Sequence, residues 1–248
     1  MTNKPRIGIL VIGSLYWRSE RVRVDWRNAR LRADHAIKVR APIHYGRMSR
    51  NATYTMTFAS VAKTSTALVV PCQSDSINLS QLRAEAEALW GAEINGKTTA
   101  AISTNWGCVG ALFRDRQDNP GLAAGWSRYF QEAGASSVSP VDEAGLLQIP
   151  WPSRVDGQPL DMDVLLATSN RETEIPAPDQ IADAWMKHAG TEEYFFKNVM
   201  SDIRTQEDAM IWSRMESRPD WVQGAVGRFP EAVAVLRGSN PIVVESRV

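Results

Sequence analysis

Residues Ile7 to Ile12 (IGILVI) form a short, nearly continuous apolar run that stops at Gly13-Ser14-Leu15. The run is rich in β-branched side chains and too short for a buried helix, so it predicts a strand covered on both faces. A glycine at the end of such a strand lets the backbone turn sharply and approach a ligand. Successive amides in that turn can form a small anion-binding nest. Glycine marks most tight turns, so pattern alone reads Gly13-Ser14 first as a simple corner and second as a ligand loop. Lys4 and Arg6 before the run imitate a signal peptide. The run is short, however, no A-x-A site follows, and Tyr16-Trp17-Arg18 closes it, which favours the strand.

The rest of the chain reads as strands, one helix, more strands, then helices. Ala36–Ser49 looks extended, with Pro42 arguing for an edge or a bend. Tyr54–Ala59 and Thr66–Pro71 follow as strands. From Ser76 the period changes: Leu79, Leu82, Ala86, Leu89 and Trp90 recur at helical spacing, Asn78 or Ser80 is the candidate N-cap, and Gly91 the candidate end. Thr98–Phe113 returns to strand composition, with Gly107 and Gly110 as bulge candidates. Gly121–Ala135 reads as a helix, and Leu146–Trp151 and Met162–Thr168 as strands. Arg171–Pro178 reads as a linker, Asp179–Ala189 and Glu192–Met215 as helices, Glu231–Leu236 as a short helix and Ile242–Glu245 as a last apolar run. This is not the regular alternation of a doubly wound sheet. The expected class is α+β: a small mixed β-barrel or sheet with surrounding helices over residues 1–170, and a mostly helical C-terminal part, 171–248, packed on it.

Charge and cysteine content narrow the function. With 28 basic and 28 acidic residues the net charge is zero, so no global field draws nucleic acid or an acidic membrane. Arg18, Arg21, Arg23, Arg27, Arg30 and Arg32 crowd one segment, expected to be irregular or partly helical and to form a solvated or substrate-facing strip. It lacks the interleaved aromatics of single-strand binders. Cys72 and Cys108 form no zinc or redox spacing, and a reducing cytoplasm is the simplest compartment. His35, His44 and His188 are widely separated, so no metal site is expected. No stretch is long enough to span a membrane.

Gly91-Ala-Glu-Ile-Asn-Gly96-Lys97-Thr98 satisfies the G-x-x-x-x-G-K-[ST] phosphate-loop pattern at every position. The chemistry needs a strand before the loop and a helix after it. Here the order is reversed, and a helix end followed by a turn at Asn95-Gly96 explains the residues better. Ser14 lacks the G-x-S-x-G elbow of a nucleophilic serine. Glu93 lies beside Ile94 and near Trp90. Pattern alone favours a solvated loop glutamate, but a carboxyl in an apolar pocket would have a raised pKa and serve as a base near neutrality.

Three stretches together resemble the gamma-glutamyl cyclotransferase-like superfamily. Ile9-Leu-Val-Ile-Gly-Ser-Leu15 is similar to its "YGSL" strand and loop. Pro42-Ile-His-Tyr-Gly-Arg-Met-Ser49 resembles the second extended element of a bacterial branch, and Leu89-Trp-Gly-Ala-Glu93 the helix end carrying the family's catalytic glutamate. A weaker echo lies at Phe195–Asp208. The resemblance implies a small mixed barrel with no metal or organic cofactor, acting on a small gamma-glutamyl-type substrate and releasing 5-oxoproline. It implies Glu93 as general acid/base, Gly13, Ser14, Leu15 and Tyr16 as the substrate loop, and Arg47 as partner of the substrate carboxylate. Ile12 stands where the family carries tyrosine, which removes a phenol hydroxyl from that wall. The C-terminal hundred or so residues are left to cap the pocket, form a homodimer surface or bind a partner. The alternatives are a non-catalytic binding module with the same pocket and, behind it, nucleotide hydrolysis through Gly91–Thr98.

Overall fold

The structure, a computed structural model, describes residues 6–49, 53–58, 64–74, 78–97, 99, 101–117, 119–188 and 190–238. In chain order the elements are β1 (Ile7–Val11), α1 (Arg21–Arg30), β2 (Ile37–Met48), β3 (Tyr54–Phe58), β4 (Thr64–Pro71), α2 (Leu79–Glu93), β5 (Ser103–Thr104), β6 (Gly107–Phe113), α3 (Pro120–Glu132), β7 (Ser153–Arg154) and β8 (Val164–Asn170). Five helices follow: α4 (Pro178–Lys187), α5 (Glu193–Met200), α6 (Asp208–Glu216), α7 (Pro219–Arg228) and α8 (Pro230–Gly238). The class is α+β, as expected.

One mixed sheet runs in the order β3-β2-β4-β1-β8-β6-β5, with β7 on β2. β1 is central and buried along its whole length, antiparallel to β4 and parallel to β8. Its apolar run is therefore covered on both faces.

The expected barrel is not formed: the sheet is open. It curls most of the way round, because β2 changes partner in mid-strand. Ile37 to Pro42 pair with β4, and Ile43 to Met48 pair with β3. Pro42, which has no N–H to give, sits at the changeover, so it marks a bend but not an edge. β3 is thereby carried round to face β8, and Thr57 Oγ1 donates to the Asn170 carbonyl at 2.7 Å. That side-chain bond replaces a ladder, and a seam remains between β3 and the β1–β8 pair. A bulge falls between Tyr45 and Arg47, not at Gly107 or Gly110, whose strand keeps an unbroken register with β8. A Cβ on Gly110 would lie 2.5 Å from Val141, so this glycine serves close packing instead.

Other boundaries differ from expectation for local reasons. The arginine-rich segment contains a regular helix, α1. Asn78 is the N-cap of α2, its side chain accepting from Gln81 N–H at 2.9 Å. Gly91 does not end that helix, which continues to Glu93. The chain turns afterwards at Asn95 and Gly96, both left-handed (φ 55° and 75°). Leu146–Trp151 makes only isolated bridges, and β8 begins two residues later than expected. Glu192–Met215 is two helices, separated around Asp202, which adopts φ 58°. α7 was not foreseen, and the Ile242–Glu245 run lies outside the described residues.

Helices α2 and α3 pack together, and α2 covers β6 and β8. The C-terminal helices reach the other part of the sheet through Trp185, whose ring meets Tyr45 edge-on at 5.0 Å and stacks on Phe195. Phe196 lies against Trp212, Trp221 and Phe229 to hold that layer together. Buried Asp208 anchors it by accepting from Arg204 Nε and Thr205 Oγ1, each at 2.6 Å. No helix among the described residues is long and apolar enough to cross a membrane.

Candidate functional site

A cavity of about 60 Å³ occupies the seam of the curled sheet. Its walls are the end of β1 and the following loop (Val11 to Leu15), Arg47 of β2, Thr55 and Met56 of β3, Glu93, Thr168 and Asn170 of β8, and Tyr194 of α5. Five of the six residues assigned from sequence converge here: Gly13, Ser14, Leu15, Arg47 and Glu93. Tyr16 is not among the lining residues. The turn closed by its N–H onto the Gly13 carbonyl (3.1 Å) leaves it half-buried beyond the wall.

Glu93 is the last residue of α2, and its carboxyl projects among protein groups while the residue keeps partial access to solvent. Burial pushes this carboxyl above the usual glutamate range. The nearby guanidiniums of Arg23, Arg47 and Arg18 and a hydrogen bond from Thr168 pull the other way without prevailing. The negative end of the helix dipole acts in the same sense as burial.

Arg23 ties that helix end to the loop. Its Nε donates to the Ala92 carbonyl (3.2 Å), Nη2 to the Glu93 carbonyl (3.4 Å) and Nη1 to Ser14 Oγ (3.4 Å). It thus supplies donors to the last carbonyls of the helix, that of Ala92 also accepting from the Asn95 N–H at 3.4 Å. Arg27 fastens the other side, giving Nη1 to the Leu15 carbonyl and Nη2 to the Arg18 carbonyl, both at 2.7 Å. The arginine segment is therefore not simply a solvated or substrate-facing strip. Arg21 is exposed, but Arg23 is buried and turned inward.

The loop itself is rich in available donors. The backbone N–H groups of Gly13, Ser14 and Leu15 donate to no acceptor among the described residues. The bulge places Arg47 opposite Thr55, where its guanidinium lies 4.7 Å from the Trp106 ring centroid. Trp106 stacks in turn on Trp90, one helical turn before Glu93. Asn170 is buried, and its Oδ1 has no donor among the described residues. The cavity thus gathers hydrogen-bond donors and cations around one carboxyl held toward its neutral form. That set can bind a carboxylate or a developing oxyanion and move a proton beside it.

Tyr194 was not found from sequence. Ile12 is buried in the wall, but a phenol enters from α5 instead. Met56 N–H donates to Tyr194 Oη at 3.1 Å, and the ring meets Trp17 edge-on at 6.0 Å. The only local hint was the run of three consecutive aromatics, Tyr194-Phe-Phe, which reads equally as core.

Two larger hollows lie elsewhere. One of about 490 Å³ runs beside α2 and α3 and includes Gly91, Lys97 and Tyr129. The other, of about 420 Å³, lies near Arg6, Arg32 and Arg154. Size alone would favour either, but neither is lined by Glu93 or by the Gly13–Leu15 loop. Of the phosphate-loop match, Thr98 lies outside the described residues, and a helix, not a strand, leads into the segment. Comparison with protein-family models, with curated proteins and with solved structures finds no match for this chain.

Proposed function

We propose that the protein is a gamma-glutamyl cyclotransferase-like enzyme that releases 5-oxoproline from a gamma-glutamyl amine or peptide. One observation carries the reading: the Glu93 carboxyl, desolvated and inclined to hold a proton, lines a cavity with the Gly13–Leu15 loop, whose three amides have no acceptor among the described residues. In the reaction the substrate's α-amine attacks its own γ-carbonyl. The new C–N bond closes the five-membered lactam, the carbonyl oxygen takes up negative charge, and the bond to the leaving amine breaks. Glu93 accepts the proton from the attacking nitrogen and returns it to the leaving one, so no other reactant is needed. The loop amides receive the oxyanion, each such donor being worth about 3 kcal/mol. Arg47 holds the substrate carboxylate. The cavity has room for a headgroup only, so the leaving amine extends through its mouth. A cytoplasmic setting suits the two buried free thiols, Cys72 and Cys108.

The test is 5-oxoproline release from a panel of gamma-glutamyl amines and dipeptides, followed by mass spectrometry. Wild-type turnover is expected to fall on the order of 10²–10⁴-fold in Glu93→Gln, with the fold intact. Equal turnover in that variant removes Glu93 from the mechanism. The small cavity volume favours one second reading, a module that binds a charged headgroup without reaction. It predicts ligand-induced thermal stabilisation and no product.

A further inference from the structure

Tyr194 reaches the cavity from a helix more than a hundred residues away in sequence from the loop it faces. Two contacts place the phenol, and a third fixes the tryptophan it rests on. Its oxygen accepts from Met56 N–H at 3.1 Å, its ring rests edge-on against Trp17, and Trp17 Nε1 donates to Asn198 Oδ1 at 2.7 Å, one turn further along α5. Tyr194 Oη lies directly over Gly13, where a Cβ would stand 2.5 Å away. The phenol oxygen is an acceptor in its protein contacts, and its own O–H has no acceptor among the described residues. Burial holds the phenol in its neutral, donating form. A hydroxyl fixed over the loop therefore carries a proton for which the described residues supply no partner, beside three amides in the same condition.

We propose that Tyr194 O–H is a fourth donor to the anionic oxygen received by the Gly13, Ser14 and Leu15 amides, so that α5 forms an integral wall of the binding site. The ligand class is a carboxylate, or the oxyanion formed from an acyl group. This deepens the reading above and rests on the same cavity, but it requires only that an anionic oxygen binds there, not that a lactam forms. A phenol held by Met56 and Trp17 is pre-positioned, so little ordering cost is left for binding.

The experiment uses the full-length protein. Acetate and glutarate are titrated at constant ionic strength while the ¹⁵N–¹H resonances of Gly13, Ser14 and Leu15 are followed. Saturable shifts are expected in the wild type, with affinity weakened about tenfold in Tyr194→Phe, the loss of one hydrogen bond to a charged acceptor. The phenylalanine keeps the ring against Trp17. A 3-fluorotyrosine at position 194 serves as a second probe that keeps the hydroxyl. Its ¹⁹F resonance should move with the same dissociation constant as the amides. Absence of saturable amide shifts, equal affinity in Tyr194→Phe, or a silent ¹⁹F signal overturns the proposal. Turnover separates it from the cyclotransferase reading. Carboxylate binding that depends on Tyr194 without 5-oxoproline release sinks only the reaction. 5-Oxoproline release with kcat and KM unchanged in Tyr194→Phe sinks only the role of Tyr194.

Discussion

The phenol oxygen of Tyr194 occupies the space that a side chain on Gly13 would need: a Cβ there would lie 2.5 Å from Oη and 3.3 Å from Cζ. Residue 13 is glycine because α5 closes over it. In Gly13→Ala the methyl must displace a ring already held by Met56 and Trp17. The expected cost is about 1–3 kcal/mol, the usual range for overpacking. Removing the oxygen relieves the shorter of the two collisions. Gly13→Ala combined with Tyr194→Phe should therefore cost less than the two changes summed, by roughly 0.5 kcal/mol or more in a double-mutant cycle of urea melts. Strict additivity would mean that the helix does not press on the loop.

The displaced pKa of Glu93 has a consequence for stability. Burial raises the folded-state value above the 4.5 of an ordinary glutamate, so between the two values the folded protein holds a proton that the unfolded chain releases. The contribution is fully present below about pH 4.5 and is lost as pH rises through the folded-state value. Glu85 and Asp208 are displaced upward too, also chiefly by burial, and steepen the same decline. Glu93→Gln removes one share of it. Its thermal midpoint should gain on the wild type as pH rises above about 4.5 and level off once pH passes the folded-state value, with Glu85 and Asp208 common to both proteins. A gap that stays constant across the range would show that the carboxyl is not desolvated.

Arg23 addresses three separate acceptors from its three nitrogens. Lysine keeps the charge near Glu93 but has a single ammonium head. Arg23→Lys is expected to lose about 1–3 kcal/mol of stability and to loosen Ser14 relative to α2, seen as faster amide exchange at Ala92–Asn95. Wild-type stability in this variant would reduce Arg23 to a charge beside the site.

Gly91 gives the opposite expectation from Gly13. It sits inside α2, and beyond the helix's own adjacent backbone a Cβ added there would meet no atom of the described residues within 4 Å. Gly91→Ala should raise stability by about 0.5–1 kcal/mol through backbone entropy alone and leave turnover as it was. A destabilised variant would mean that residues 91–96 need glycine for reasons beyond helix geometry.

The parts of the fold read correctly from sequence were those with local causes. Ile7–Val11 is apolar at every position because both faces are covered, and Asn78 caps α2 through a bond to a residue three positions away. Glu93 could be placed at a helix end, but the desolvation of its carboxyl could not be read, since its surroundings come from β2, β8 and α1. Gly91 misled as a stop signal because glycine marks helix ends only where the backbone turns left-handed, and Asn95-Gly96 does that here. Arg23 could not be told from Arg21 by composition; what separates them is a set of backbone carbonyls brought in from α2. Pro42 was legible as a bend, yet the open seam it helps create depends on where β3 lands, and no local pattern encodes that. Tyr194 had only the ambiguous Tyr194-Phe-Phe run as a signal, because its partners lie at residues 13, 17 and 56.

The central place of β1 has a cost during synthesis. One neighbour, β4, follows within about sixty residues, but the other, β8, begins only at Val164. Until then the far edge of an entirely apolar strand offers unpaired N–H and C=O groups to any passing chain. An emerging polypeptide stalled before Val164 should therefore associate with its own copies, whereas one that has passed Asn170 can cover that edge. The stretch that founds the sheet is also the one the growing chain must shield longest.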